Sequence, residues 1–190
     1  VELIKSRVRA EFKLGKEHIV FLQSGKFNER KKLKESLRSF IKCGDPDIRF
    51  WIAGVLPANI SDEVIALIHS DSRIYNHGWV SSARLEHLLM SCDVYLQPGT
   101  QSVTMQAAMC SGRPVAIDNV KSHKPYVNGN GWLLNSSESL DHMFEDICSD
   151  KSQLIVMGEL SMKYAEVNLD YKILAKRVLN DAVLVKSKLS

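Results

Sequence analysis

The chain has 190 residues, of which 45% are hydrophobic and 25% are charged, and its formal net charge is +3. This length suits one well-filled core, so we expect a single domain over residues 1–190. The small net charge gives no reason to expect a nucleic acid as a partner, and no apolar run approaches the roughly 18 residues that cross a bilayer. The four cysteines and six histidines lack the spacing of metal ligands, so we predict packing cysteines, a reducing compartment, no metal and no cofactor.

Short apolar runs alternate along the chain with segments of helical periodicity. Residues 1–14 have the pattern of a helix, and apolar runs follow at residues 19–22, 48–55, 74–75, 94–96, 115–117 and 132–134. Runs that are apolar on both faces are typical of parallel strands covered by helices. The alternation therefore predicts an α/β fold with a doubly wound, Rossmann-like, six-stranded parallel sheet, helices on both of its faces and a helical C-terminal flank.

Serine residues mark the expected starts of three helices. Ser61, Ser82 and Ser102 each precede a helical segment, where a hydroxyl is able to cap free backbone N–H groups. The first helix leads into the first strand without an initiator methionine. We therefore expect a fragment of a longer protein, whose upstream part holds half of the functional site.

Two loops at the carboxyl ends of neighbouring strands form the expected ligand site. In the common strand order 3-2-1-4-5-6 the first and fourth strands are neighbours, so the loops at residues 24–31 and 97–102 meet at one crevice. The second loop leaves a strand and opens a helix. The free amides and the dipole of such a helix start favour an anion such as a phosphate.

The first loop places several cations at a helix N-terminus, where the helix dipole disfavours them. Such side chains either form a solvated basic face or hold an anion. Because the second loop independently predicts an anion in the same crevice, we favour the anion. The chain has neither a P-loop nor a Gly-x-Gly-x-x-Gly turn after the first strand, which argues against a P-loop hydrolase or a nicotinamide dehydrogenase. The predicted diphosphate site consists of Gly25, Lys26, Arg30, Lys31, Gln101, Ser102 and Val103.

The same segments resemble the C-terminal, nucleotide-sugar-binding domain of the GT-B glycosyltransferases, in particular the retaining family 4 enzymes. Residues 25–31 are similar to that family's Gly-Arg/Lys…Lys-Gly element, residues 78–98 to its Gly-x-Val…Ala-Asp-Val…Pro run, and residues 105–115 to its Leu-Glu-Ala-Met-Ala-x-Gly-x-Pro-Val motif. The resemblance covers most of the chain. It implies that Lys26 and Lys31 grip the diphosphate of a nucleoside-diphosphate sugar.

The resemblance also assigns the remaining parts of the donor. It places the nucleobase against the backbone near Val80, beside Gly78. His77, at the end of the third strand, is a further candidate for the base, with a partly buried strand-end histidine as the alternative. Contacts with the donor sugar or the ribose are expected from Gly99, Thr100 and Gln106.

One departure from the family concerns two glutamates that lie eight residues apart and face the ribose and the donor sugar. This chain has Ala107 at the later position and Gly99 at the earlier one, so we assign no catalytic residue within it. Gln101 or Gln106 would take over a hydrogen bond by a small shift in register. The backbone amides of the second loop need no particular side chain to hold a phosphate.

As a whole, the resemblance implies a hexosyltransferase that moves a sugar from a nucleoside-diphosphate sugar to a glycan or lipid-linked acceptor in bacterial surface polysaccharide synthesis, such as capsule or lipopolysaccharide assembly. The chain is then the C-terminal donor-binding half, inactive without the N-terminal acceptor domain of the same protein. We expect it in the cytoplasm, with the full-length protein at the inner face of the membrane. Two alternatives stay open: a non-catalytic nucleotide-binding or glycan-binding module of the same fold, and a sugar-nucleotide epimerase.

Several features near the crevice have structural interpretations that we favour. His123 follows the fifth strand and fits an exposed loop better than a contact with the sugar. Asp118 and Asn119 fit the start of an Asx turn better than a wall of the crevice. The three tryptophans are expected in the core, although Trp79 borders the base site.

Overall fold

The computed structural model of the protein describes residues 2–57, 62–99 and 102–188. Within these residues, six strands form one sheet: β1 (Ile19–Lys26), β2 (Ile48–Val55), β3 (Ile74–Asn76), β4 (Val94–Gln97), β5 (Val115–Asp118) and β6 (Gly131–Leu134). Their order is β3-β2-β1-β4-β5-β6, and each neighbouring pair is parallel. The predicted strand order and the doubly wound, Rossmann-like sheet are therefore confirmed.

Helices cover both faces of this sheet. The described helices are α1 (Glu2–Glu11), α2 (Leu33–Cys43), α3 (Asp62–Ser70), α4 (Ser82–Ser91), α5 (Val103–Cys110), α6 (Ser137–Ser149), α7 (Gln153–Asn168) and α8 (Tyr171–Lys188). Buried side chains of α2, α3 and α6 form the core layer on one face, and those of α1, α4 and α5 form the layer on the other. The α7 helix contributes Leu154 to the first layer and Ala165 to the second. The helical C-terminal flank is confirmed as α6, α7 and α8. In the described ranges, no helix combines the length and the apolar character that crossing a membrane requires.

The strands are apolar on both faces because their side chains alternate between the two core layers. In β1, Phe21 packs edge-on against Phe144 of α6, with ring centroids 4.7 Å apart. Val20 and Leu22 lie in the opposite layer, and all of these side chains are fully buried. The continuous apolar runs in the sequence follow from this two-sided burial.

The β1 strand runs to Lys26, well beyond the predicted residues 19–22. Its pairing with β2 continues to the last residue, with Gly25 beside Gly54 and Lys26 beside Val55. A Cβ on Gly54 would lie 1.8 Å from the carbonyl oxygen of Gly25, so only glycine allows the strands to lie this close. The extension carries Gly25 and Lys26 to the carboxyl edge of the sheet on a strand instead of a loop.

The helix starts agree with the sequence in part. The N-cap of α4 is Ser81, whose hydroxyl accepts a hydrogen bond from the backbone N–H of Arg84 at 3.2 Å. Ser82 is already helical, so the prediction there is wrong by one residue. Ser102 does precede α5, although its side chain caps no N–H of that helix. Ser61 lies outside the described residues.

Candidate functional site

The two predicted loops meet at the carboxyl ends of β1 and β4. Gly99 follows β4 with a φ of +95°, and a Cβ on it would lie 1.6 Å from the carbonyl oxygen of Arg30. Arg30 belongs to a single 3-10 turn, Glu29–Lys31, between β1 and α2. The backbones of the two loops therefore touch, and only glycine fits at position 99. The predicted convergence of the loops is confirmed.

The Lys31 side chain is buried at this junction. The residue is 8% exposed, and its Nζ and Cε lie 3.5 Å from the position of a Cβ on Gly25. The backbone oxygen of Lys31 accepts a hydrogen bond from Gln23 Nε2 at 2.6 Å, which fixes the turn. Burial lowers the pKa of the Lys31 ammonium group, and none of the described carboxylates pairs with it. Because buried charges in proteins are normally paired, this cation is suited to an anion supplied by a ligand.

Further cations lie at the end of β1 and in the turn that carries Lys31. Lys26 and Arg30 are exposed, and neither forms an ion pair with a described residue. Lys32 differs, because its Nζ lies 2.5 Å from Asp118 Oδ2 at the end of β5. Asp118 therefore contacts the first loop. The interpretation favoured from the sequence, in which Asp118 starts an Asx turn, did not predict this contact. The charges of Lys26 and Arg30 are therefore not neutralised by any described residue.

A buried chain of hydrogen bonds connects the two loops. The hydroxyl groups of Ser24 and Tyr95 lie 2.9 Å apart, and the Tyr95 hydroxyl donates to Gln97 Oε1 at 3.1 Å. The hydroxyl of Ser102 donates to the same Gln97 oxygen at 2.8 Å. Burial raises the pKa of Tyr95 to about 12, so its phenol stays protonated and donates at neutral pH. This chain fixes the end of β1 relative to the start of α5.

Among the described residues, no side chain caps the first turn of α5. Ser102 occupies the N-cap position, but its hydroxyl is bound to Gln97. The N–H groups of Val103 and Thr104 have no partner within the helix, as at any helix start, and the helix dipole adds positive potential there. Ser102 and Val103 therefore lie where the sequence predicts an anion. Two other predicted site residues, Thr100 and Gln101, lie outside the described residues.

The His77 side chain is packed among aromatic rings at the end of β3. Its ring centroid lies 5.2 Å from that of Phe12 and 5.4 Å from that of Trp51, both edge-on. Burial lowers the pKa of His77 to about 4, so the imidazole is neutral at pH 7. Its Nε2 is buried without a hydrogen-bond partner among the described atoms. The packing fits a strand-end histidine, and a contact with the base stays a prediction.

An exposed tryptophan separates the other two base-site residues. Gly78 has a φ of +62°, and its carbonyl oxygen accepts a hydrogen bond from the Gly54 N–H at 2.8 Å, whereas Val80 packs into a core layer. Trp79 between them is 72% exposed, so the expectation that it packs in the core is wrong. Trp51 is fully buried, as expected. An exposed indole at the carboxyl edge of the sheet offers a flat face on which a base is able to stack.

Gly99 and Ala107, which the sequence resemblance aligns with the two glutamates, both lie in packed surroundings. Gly99 lies against the first loop, and Ala107 is half-buried against a core layer. Gln106 Nε2 donates to the Tyr126 hydroxyl at 3.2 Å, which ties it to the loop after β5. His123 in that loop is 2% exposed, so the expectation of an exposed residue there is wrong. Within the described ranges, no group of three or more His, Cys, Asp or Glu side chains is placed to hold a metal ion.

Lys32 and Tyr95 contact the site but were not predicted from the sequence, and Gln97 was predicted only as the first residue of the second loop. The charge of Lys32 is visible in the run 30–32, but its partner is 86 residues away and no local pattern identifies it. Tyr95 and Gln97 stand on the same face of a buried strand, separated by Leu96. Polar residues at alternate positions of an otherwise apolar strand are the feature of the sequence that could have identified these two residues.

Solved structures share this fold over about half of their own length. HepE from Anabaena, in complex with UDP and glucose, matches with a TM-score of 0.80 at 16% identity, covering 96% of this chain and 52% of HepE. Sucrose-phosphate synthase from Thermosynechococcus elongatus matches with a TM-score of 0.78 at 16% identity, covering 96% of this chain and 49% of that enzyme. Both are GT-B glycosyltransferases. The chain has the fold of the C-terminal domain of a GT-B glycosyltransferase.

A third structure extends the likeness within this class. WaaG, a glycosyltransferase involved in lipopolysaccharide biosynthesis, matches with a TM-score of 0.74 at 17% identity, covering 93% of this chain and 50% of WaaG. No protein-family model matches the sequence, and a sequence comparison with curated proteins finds no match. At these identities the likeness concerns the GT-B fold, which confirms the fold that the sequence resemblance implied.

Proposed function

We propose that this chain is the donor-binding domain of a glycosyltransferase that moves a sugar from a nucleoside-diphosphate sugar to an acceptor. The observation that carries the proposal is the buried Lys31, whose charge has no partner among the described residues, at the junction of two loops. The uncapped start of α5 adds a second anion-binding feature in the same crevice. HepE, which shares the fold, was solved with UDP-glucose.

In this proposal the crevice stabilises the departing diphosphate. As the bond between the sugar and the diphosphate oxygen breaks, negative charge grows on that oxygen, and fixed positive groups lower the energy of this state. Lys31 and the amides of Val103 and Thr104 would bind one phosphate, and Lys26 with Arg30 would bind the other. Because these groups supply the positive charge, we propose the transfer without a metal cofactor.

The donor's other parts extend from the diphosphate along the carboxyl edge of the sheet. We propose that the base lies near Gly78 and Val80, with the exposed indole of Trp79 as its stacking surface and His77 beneath it. The sugar and the ribose would then lie near Gly99, Thr100 and Gln106. A nucleoside diphosphate between β1 and β4 has to reach across β2 to place its base at the end of β3.

The whole protein's reaction is a proposal as well, because the chain spans about half the length of the structures that it matches. We propose a retaining hexosyltransferase with an N-terminal acceptor domain in the same protein, without which the fragment is inactive. A glycan or lipid-linked acceptor in bacterial surface polysaccharide synthesis, at the inner face of the membrane, is in keeping with WaaG and its part in lipopolysaccharide biosynthesis.

A non-catalytic nucleotide-binding or glycan-binding module is the second candidate, and one observation favours it. Gly99 and Ala107 take the places of the family's glutamates, and position 99 has no room for any side chain. A domain with this crevice would keep the groups that bind a diphosphate and would lack the carboxylates that contact the sugar. Full-length protein incubated with donor and acceptor separates the two candidates, because sugar transfer or slow donor hydrolysis occurs only if the protein is an enzyme.

Donor binding itself is tested by thermal unfolding of the 190-residue chain with UDP, GDP, ADP and CMP and with their sugar conjugates. A ligand at 100 times its Kd adds about 2.7 kcal/mol of stability, which for a domain of this size raises the Tm by roughly 5 to 10 °C. We expect such a rise with one diphosphate and a much smaller one with its monophosphate. If none of these ligands raises the Tm and none binds in calorimetry, the proposed donor site in this chain is wrong.

A further inference from the structure

Two cysteines far apart in the sequence meet at the ends of α2 and α6. The sulfur atoms of Cys43 and Cys148 lie 3.1 Å apart, although the residues are separated by 105 positions. Both are free thiols and both are partly exposed. The expectation of four cysteines that only fill space is therefore incomplete for this pair, which lies outside the crevice of the proposed donor site.

Rigid contacts hold the two sulfurs together. Lys42 Nζ lies 2.5 Å from Asp141 Oδ2, and the rings of Phe40 and Phe144 pack edge-on with centroids 5.9 Å apart. These contacts join α2 to α6 within the two turns of helix that precede each cysteine, so the approach of the sulfurs does not depend on a loop. A disulfide bond is about 2.05 Å long, so a shift of about 1 Å closes the remaining gap.

We propose that Cys43 and Cys148 are a thiol–disulfide exchange site, which forms an internal disulfide on reaction with a small-molecule disulfide. One protein sulfur attacks the small disulfide, forming a mixed disulfide and releasing one small thiol. The second protein sulfur then attacks the protein-bound sulfur, forming the Cys43–Cys148 bond and releasing the second small thiol. Two protein thiols are oxidised and one small disulfide is reduced to two thiols, so the two protons and two electrons balance.

The environment of Cys148 indicates the order of these steps. Burial, followed by the neighbouring Cys43, raises the pKa of the Cys148 thiol. Because the thiolate is the nucleophile, we expect Cys43 to attack the small disulfide and Cys148 to close the bond. The other two cysteines serve as internal controls, since Cys92 is fully buried and Cys110 is exposed without a described sulfur beside it.

To test this, the 190-residue chain is treated with oxidised glutathione and the remaining thiols are blocked by alkylation. Mass spectrometry then gives the intact mass and the disulfide-linked peptides. We expect the loss of two hydrogens and a peptide pair that contains Cys43 and Cys148, both reversed by dithiothreitol. The Cys110→Ser variant is expected to form the same bond. The Cys148→Ser variant is expected to stop at a glutathione adduct on Cys43.

The stability of the oxidised chain gives a second readout that needs no substitution. A disulfide that closes a loop of this length stabilises a domain, and for this size we expect the Tm to rise by roughly 5 to 15 °C. Glutathione adducts alone, or a disulfide that joins any other pair of cysteines, would overturn the proposal.

Discussion

Replacing Lys31 with methionine separates its proposed role in binding from its cost to the fold. Methionine keeps the unbranched stem but removes the charge, which is buried without a described partner. Burial lowers the pKa of the ammonium group, so the charged form is disfavoured in the folded chain, and we expect the ligand-free variant to be at least as stable as the parent. A hydrogen bond to a charged group contributes about 1.5 to 3 kcal/mol, so the Kd for a nucleoside diphosphate should rise roughly 10- to 150-fold.

The assay for Lys31→Met is calorimetric titration with the diphosphate that stabilises the parent, together with urea unfolding without ligand. Lys16→Met is the matched control, because Lys16 is exposed and precedes β1 at the opposite edge of the sheet. We expect the control to bind like the parent. If Lys31→Met binds as tightly as Lys16→Met, Lys31 does not contact the diphosphate and the argument from its unpaired charge fails.

Three further predictions test the crevice and its surroundings. Gly99→Ala should lower the free energy of unfolding by about 2 kcal/mol or more, because its Cβ would collide with Arg30. Gly78→Ala has open space around its Cβ and should cost only about 1 kcal/mol for its positive φ. Urea unfolding of the two variants measures both costs. Nucleotide binding should change the parent's tryptophan fluorescence, and Trp79→Phe should abolish that change without unfolding the chain. The pKa of His77 is lower in the folded chain than in the unfolded chain, so the free energy of unfolding should fall by about 2 to 3 kcal/mol as the pH drops from 6.5 to 4. His77→Phe should flatten this pH dependence. An unchanged pH dependence in that variant would show that His77 does not cause it.

The fold could be predicted from the sequence because its main signal is local. The four inner strands are largely buried on both faces, so their apolar runs are continuous. In the helices between the runs, apolar residues recur every three to four positions. The end of β1 was missed because Gln23, Ser24 and Lys26 are polar, yet their pairing with β2 continues to the last residue. Polar residues at the carboxyl edge of a buried strand interrupt the apolar signal where the ligand site begins.

The site was predicted less completely because its contacts are long-range. The positions of the loops follow from the strand order, so the contact between the two loops could be predicted from the sequence. The pairing of Lys32 with Asp118 and the burial of Lys31 depend on how the loops pack, and no spacing within either loop encodes them. The exposure of Trp79 was missed for a related reason, because an aromatic residue next to a strand is more often in the core.

The burial of Lys31 and the glycine at position 99 belong to one contact between the two loops. The turn that carries Arg30 and Lys31 lies directly on Gly99, at a distance that a Cβ would occupy. Because a Cβ at position 99 would collide with the Arg30 backbone, we expect a larger residue there to move this turn away from β4 and to increase the exposure of the Lys31 side chain. On this expectation, the glycine at position 99 allows the close packing of the turn that buries Lys31. Gly99→Glu should consequently raise the pKa of Lys31 towards its ordinary value and weaken diphosphate binding, and tighter binding in that variant would show that the two features are independent.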